Sequence, residues 1–322
     1  MSDATHTQRP PLLTRETMTG PWAGVPVAWT DDDRFDEGTY RADVARCCRA
    51  GIPGVYSGGT TGEFYAMEFD EFQEMARATV EECHAHRVPA MIGCTATYTR
   101  GAVRRAEYAA RIGADAIQVA LPYWLPVGES LSTAFFRDVV EAAGGLPLSI
   151  YETTRAKRTL TCEEHCKIRD AVPSYIMVKA NAGTLGASLE GCRALNEIVN
   201  VFVGESSWAE LVPQGARGAC SAMVYWNPRV VLSYWKALQE SDGPAVESWS
   251  SRISALHEFL HTEFGPRGFT DTAYDRLGAR AGGFLATSLR CRAPYVSANT
   301  HDLEQLRQWY REHFPEMLAI DV

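Results

Sequence analysis

Residues 148–179, LSIYETTRAKRTLTCEEHCKIRDAVPSYIMVK, contain one strand–helix–strand unit. A short apolar run ends at Tyr151, a polar stretch follows, Thr161 stands where an N-cap is wanted before a helix over 162–171, and a second apolar run ends at Lys179. Working outward, the same alternation recurs along the first two thirds of the chain. It predicts eight strands, at 24–29, 54–57, 90–94, 116–121, 148–151, 175–179, 201–204 and 218–224. Between them helices are expected at 35–50, 68–84, 101–112, 132–143 and 162–171. Strands this apolar on both faces belong to a parallel sheet covered by helices, and eight of them close naturally into a barrel. A doubly wound sheet would place a glycine-rich dinucleotide turn after the first strand, and residues 25–33 carry none. The expected class is therefore α/β, a (β/α)8 TIM barrel over 19–242. A polar N-terminal extension (1–18) precedes it, and a helical region over 243–322, with helices at 246–264, 274–286 and 301–314, packs on it as a C-terminal extension.

The 322 residues are 46% hydrophobic and 22% charged, within the size of a one-domain barrel enzyme. A net charge of -9 without a concentrated basic face argues against a nucleic-acid partner. No apolar stretch resembles a signal peptide or is long enough to span a bilayer, so no membrane role is expected. Nine scattered cysteines, an odd number, suit reduced thiols in the cytoplasm. Cys83-His84-Ala85-His86 and Cys162-Glu163-Glu164-His165-Cys166 contain metal-ligand residue types, but both fall in or beside outer helices and lack paired CxxC spacing; no metal is expected there.

Active sites of such barrels gather at the C-terminal ends of the strands. Lys179 ends an apolar strand, where desolvation favours the neutral amine that attacks a carbonyl. A lysine there can also simply snorkel to the rim. Tyr151 ends its strand and could shuttle protons in the barrel mouth, although strand-end tyrosines are often just packed. The turn Gly58-Gly59-Thr60-Thr61-Gly62-Glu63 offers closely approaching amides and two hydroxyls to a small anion such as a carboxylate. Cys94 and Cys220 also end strands, without an evident histidine partner for a thiol nucleophile.

Taken together, Gly59-Thr60-Thr61-Gly62-Glu63, the strand ending in Tyr151 and the strand ending in Lys179 resemble the dihydrodipicolinate synthase and N-acetylneuraminate lyase superfamily of class I aldolases, in order and spacing over nearly the whole chain. The resemblance implies a lyase in which Lys179 forms an imine with pyruvate or a 2-keto acid, Tyr151 transfers protons, and Thr60 and Thr61 hold the carboxylate between Gly59 and Gly62. It implies that Cys220 and Ser221 lie in the segment facing the imine, that no metal or organic cofactor is needed, and that the chain is a homo-oligomer, commonly a tetramer.

Two departures point away from the lysine-biosynthetic branch. Trp124 stands where that branch has a second tyrosine, and Ala156 stands at the aldehyde-binding arginine, with Arg155 or Arg158 as replacement. Trp124, with Cys291-Arg292-Ala293-Pro294-Tyr295, resembles instead the hydratase-aldolases that cleave benzylidenepyruvates into an aromatic aldehyde and pyruvate. Tyr65, Trp124, Trp208 and Trp226 are expected to line an aromatic mouth, with Arg155 in the substrate-binding set and Glu152 acting on a hydroxyl or water. The partners are then a small keto acid and an apolar or aromatic aldehyde. A 2-keto-3-deoxy sugar acid dehydratase would share Lys179 and Tyr151, and a catalytically silent ligand-binding barrel is the reading from another class.

Overall fold

A computed structural model describes residues 12–320. Eight parallel strands close in sequence order: β1 (Gly20–Gly24), β2 (Val55–Ser57), β3 (Ala90–Gly93), β4 (Ala116–Val119), β5 (Leu148–Glu152), β6 (Tyr175–Ala180), β7 (Asn200–Phe202) and β8 (Ala216–Ser221), with β8 returning to pair with β1. The helices between strands are α1 (Glu37–Arg49), α2 (Phe69–Ala85), α3 (Thr99–Arg111), α4 (Glu129–Ala142), α5 (Cys162–Ala171), α6 (Leu189–Asn196) and the short α7 (Trp208–Leu211). After β8 come α8 (Met223–Trp226), α9 (Pro228–Gln239), α10 (Gly243–Phe264), α11 (Asp271–Gly282) and α12 (Thr300–His313). The expected (β/α)8 barrel with a C-terminal helical part is present. None of the helices among the described residues is long and apolar enough to cross a membrane.

The quoted unit folds as its residues dictate. The Thr161 hydroxyl accepts from the Glu164 amide (3.2 Å) while the Glu164 carboxylate accepts from the Thr161 amide (3.0 Å), satisfying two donors that the first turn of α5 leaves free. The strands then sort their side chains by alternation. Ser149, Met177 and Gln118 meet inside the barrel, with Gln118 Nε2 donating to Ser149 (2.9 Å), whereas Leu148, Ile150, Val178 and Ala180 join the layer under the helices.

The first strand is a correction. It lies at Gly20–Gly24, not at 24–29, because Gly20–Ala23 take the register opposite Gly218–Ser221 of β8. Val25 to Trp29 are buried in the main core, with the Val27 carbonyl accepting from Arg276 of α11, and an apolar run alone does not distinguish such a segment from a strand. The eighth strand ends earlier than expected, at Ser221, where the chain turns into α8. Much of the expected N-terminal extension lies outside the described residues. Its final part is not merely polar: Leu13 and Met18 are buried with Trp22, Met91, Met177 and Phe202 inside the barrel.

Candidate active site

The register of β5 and β6 sets Tyr151 directly beside Lys179, so both side chains point into the barrel. Lys179 Nζ lies 4.6 Å from the Tyr151 ring centre and 5.8 Å from that of Tyr56. Lys179 is also the one residue of β6 that keeps partial exposure. The Tyr151 hydroxyl accepts a hydrogen bond from Asn181 Nδ2 (3.0 Å), which fixes the phenol over the mouth.

The glycine–threonine turn follows β2 on the opposite side of this mouth. Gly58 adopts φ +73°, and a Cβ there would sit 2.9 Å from the Gly93 carbonyl, so only glycine lets the turn pack against β3. A side chain at Gly59 would collide with the Tyr56 ring. Thr60 and Thr61 both line a cavity of about 520 Å3 that also contains Tyr151, Lys179, Asn181, Cys220, Ser221 and Trp226. The structure thus brings together the amine, the phenol, the threonine pair and the end of β8. Burial pushes the Cys220 thiol up to about 12, so it stays protonated and is no nucleophile at neutral pH.

Five acidic or polar groups in this mouth carry no signal in the sequence. Glu205, after β7, is buried, which raises its pKa, and it accepts a hydrogen bond from Ser221. Asp271 and Asp275 come from α11, and His257 and His261 from α10. The Thr61 hydroxyl donates to Asp275 Oδ2 (2.6 Å), and burial pushes that carboxyl up to about 7. A helical region expected only to pack on the barrel therefore supplies part of its mouth. Glu63, the last residue of the glycine–threonine motif, is wholly buried and ion-paired with wholly buried Arg276, the residue after Asp275. Two residues of the turn are thereby tied to two consecutive residues of α11.

A second cavity of about 230 Å3 shares Thr60, Tyr151 and Asp271 with the first, and its walls include Phe64, Tyr65, Tyr123, Tyr295 and Arg155. The rings meet edge to face, Tyr65 with Tyr295 at 5.0 Å and Phe64 with Tyr123 at 5.9 Å between centres. Arg155 donates to Asp271 (3.0 Å). Partial burial opposes its charge, yet Asp271 and the Tyr151 hydroxyl together raise its pKa above the ordinary arginine value. Arg158 is turned away, bonded to Glu164 and the Val127 carbonyl, so Arg155 is the arginine at the site.

Three residues expected at the site lie elsewhere. Glu152 alternates to the outside of β5, where its Oε1 accepts from the Leu160 amide (2.7 Å) and its Oε2 faces His165 (3.5 Å). Trp208 is fully buried in the outer layer, 4.9 Å from Trp235 and 5.4 Å from Tyr234, with its indole N–H on the Gly218 carbonyl. Trp124 is 77% exposed and lines neither cavity; the preceding Tyr123 takes the inward position. Trp226 does reach the mouth, held by its N–H on the Asp275 carbonyl (2.9 Å). In the two cysteine–histidine clusters, His84 pairs with Asp115 and His165 with the Tyr175 hydroxyl. Among the described residues, no three His, Cys, Asp or Glu side chains are grouped so as to hold a metal ion.

Covalent capture of a ketone needs an amine, a proton carrier within reach of it, and a cradle for the carboxylate beside the ketone; a barrel mouth arranged this way is that of a class I aldolase-type lyase. Sequence comparison agrees: the model of the dihydrodipicolinate synthetase family matches residues 18–312, and the chain belongs to that family of pyruvate-dependent, imine-forming lyases, which use a lysine and no added cofactor. The 4-hydroxy-tetrahydrodipicolinate synthase of Natronomonas pharaonis is 27% identical over 259 residues, 79% of this chain and 86% of that one. Among solved structures, a sialic acid aldolase of Ruminococcus gnavus, a catalytic lysine mutant, superposes with TM-score 0.83 at 14% identity over 94% of this chain and 99% of that one. YagE of E. coli K12, a prophage protein of the dihydrodipicolinic acid synthase family in complex with pyruvate, gives 0.80 at 22% identity over 92% and 98%. These two likenesses show the shared fold.

Proposed function

We propose that this lyase makes or breaks a carbon–carbon bond between pyruvate, held as an imine on Lys179, and an aromatic or apolar aldehyde, as a hydratase-aldolase does. Lys179 Nζ attacks the keto carbon, water leaves, and the protonated imine accepts the electron pair of the bond being broken. Tyr151 carries protons between the amine, the carbinolamine oxygen and the medium, with Asn181 orienting its hydroxyl. The Thr60 hydroxyl and the amides between Gly59 and Gly62, that of Thr61 among them, cradle the carboxylate, while the Thr61 hydroxyl is engaged by Asp275.

The observation that carries the aldehyde assignment is the aromatic second cavity, which meets the first at Tyr151 and so opens beside the imine. Its edge-to-face rings suit a planar apolar group, and Arg155 can fix a polar substituent at its rim. Against it, the buried Glu205–Ser221 pair in the first cavity favours a hydroxylated chain, and with it a 2-keto-3-deoxy sugar acid dehydratase. Incubation with a benzylidenepyruvate and, separately, with keto-deoxy sugar acids divides the readings. Release of pyruvate and aromatic aldehyde is expected; dehydration of the sugar acid alone would overturn the assignment.

A further inference from the structure

We propose that Asp275, acting through Thr61, is a second proton carrier of the site and serves the carbon–carbon step. This rests on the imine chemistry proposed above for Lys179.

The argument begins with placement. Asp275 lines the same cavity as Lys179, and its Oδ2 receives the Thr61 hydroxyl at 2.6 Å. The contact is built, not incidental, because the next residue, Arg276, is locked to Glu63 of the same turn and to the Val27 carbonyl (2.7 Å). Beside the pair lies the buried Tyr225 hydroxyl, within reach of Thr61 and in the field of Asp275, so the threonine hydroxyl sits between a phenol and a carboxyl. A threonine hydroxyl alone can pass a proton but cannot store one. A carboxyl at its far side can, and burial poises this one near neutrality, where both protonation states are populated.

The step balances as follows. As the carbon–carbon bond of the imine-bound adduct breaks, its electron pair moves into the protonated imine and leaves an enamine, while the adjacent hydroxyl becomes the aldehyde carbonyl. That hydroxyl's proton passes to the Thr61 oxygen as the Thr61 proton moves to Asp275. The same acid then returns a proton through Thr61 to the enamine carbon, which restores the imine for hydrolysis to pyruvate.

Exchange of the pyruvate methyl protons in D2O, followed by NMR, reads this carrier without any aldehyde. Asp275 ionises among the charges of Asp271 and Arg276 from α11 and Lys179 from β6, beside Tyr225 from α8, while Glu205, which follows β7, and His257 and His261 from α10 line the same cavity. Asp275→Asn should slow exchange by about 100-fold, the usual share of one acid–base group, and remove the ionisation near pH 7, while borohydride still traps pyruvate on Lys179. Asp275→Glu should restore the pH profile in part. Should the Asn variant not fold, Thr61→Val keeps the cradle amide but breaks the same link, and at saturating pyruvate it should slow exchange and remove the ionisation near pH 7 while borohydride trapping on Lys179 persists. An Asn variant that exchanges like the wild type, or loses trapping together with exchange, overturns the proposal. A wild-type chain that traps no pyruvate would instead refute the imine reading beneath it.

Discussion

Replacing Arg276 by methionine tests how the mouth is held together. Arg276 and Glu63 are both fully buried; the guanidinium is bonded to Glu63 Oε1, the Val27 carbonyl, the Thr287 hydroxyl (3.1 Å) and the Ser288 carbonyl (3.2 Å). With the arginine gone, Glu63 keeps a single donor, the Arg292 amide (2.8 Å), and its charge is stranded away from water. Breaking a buried pair in this way costs about 3–5 kcal/mol. For a chain of 322 residues that lowers Tm by roughly 4 to 7 °C, measurable by scanning calorimetry. The double variant Glu63→Gln/Arg276→Met should lose less than the two single variants summed, since no unpaired charge remains. A single Arg276→Met variant whose stability stays within about 0.5 kcal/mol of the wild type, as an ordinary surface change would, refutes this account of the turn.

Two further outcomes follow from the geometry. Glu152→Gln, which keeps an acceptor for the Leu160 amide, should leave kcat unchanged, whereas Glu152→Leu strands that buried donor and should cost about 1–3 kcal/mol in a thermal melt; a loss of kcat without loss of stability would return Glu152 to the catalytic set. Asp275→Asn should be more stable than the wild type at pH 8 but not at pH 4. The folded-state pKa of Asp275 is raised from 3.8 to about 7, so the folded state holds a proton that the unfolded state has released, and stability falls as pH rises through that window. At about 1.4 kcal/mol per pKa unit the difference between the variants grows by ~4 kcal/mol across it. Parallel stability curves for the two proteins would contradict the raised pKa.

Where the sequence was legible, the reason is local. The paired ends of β5 and β6 could be read because alternation and apolar content set both the strand and the direction of its last side chain, and the Gly-Thr-Thr-Gly run could be read because its turn demands those residues. Glu152 was misplaced by the same rule: it follows an inward Tyr151 and must therefore face out. Trp208 and Trp124 were placed by residue type and by their position between strand and helix, Trp124 also by resemblance, and neither distinguishes a core indole from an exposed one. Asp275 and Glu205 gave no local signal. Their role depends on burial and on contacts such as Thr61 with Asp275, whose partners lie far apart along the chain. One clue was present: Arg276 stands among Ala273, Leu277 and Ala279 on the buried side of α11, and a buried arginine requires a buried carboxylate, here Glu63 of the motif already in view.

The central claim is the imine. Reduction with borohydride in the presence of pyruvate, followed by peptide mass analysis, should add the reduced pyruvyl group to the peptide containing Lys179 and to no other, and Lys179→Met should abolish the adduct. An unmodified Lys179, or a label that persists in the methionine variant, would contradict the account.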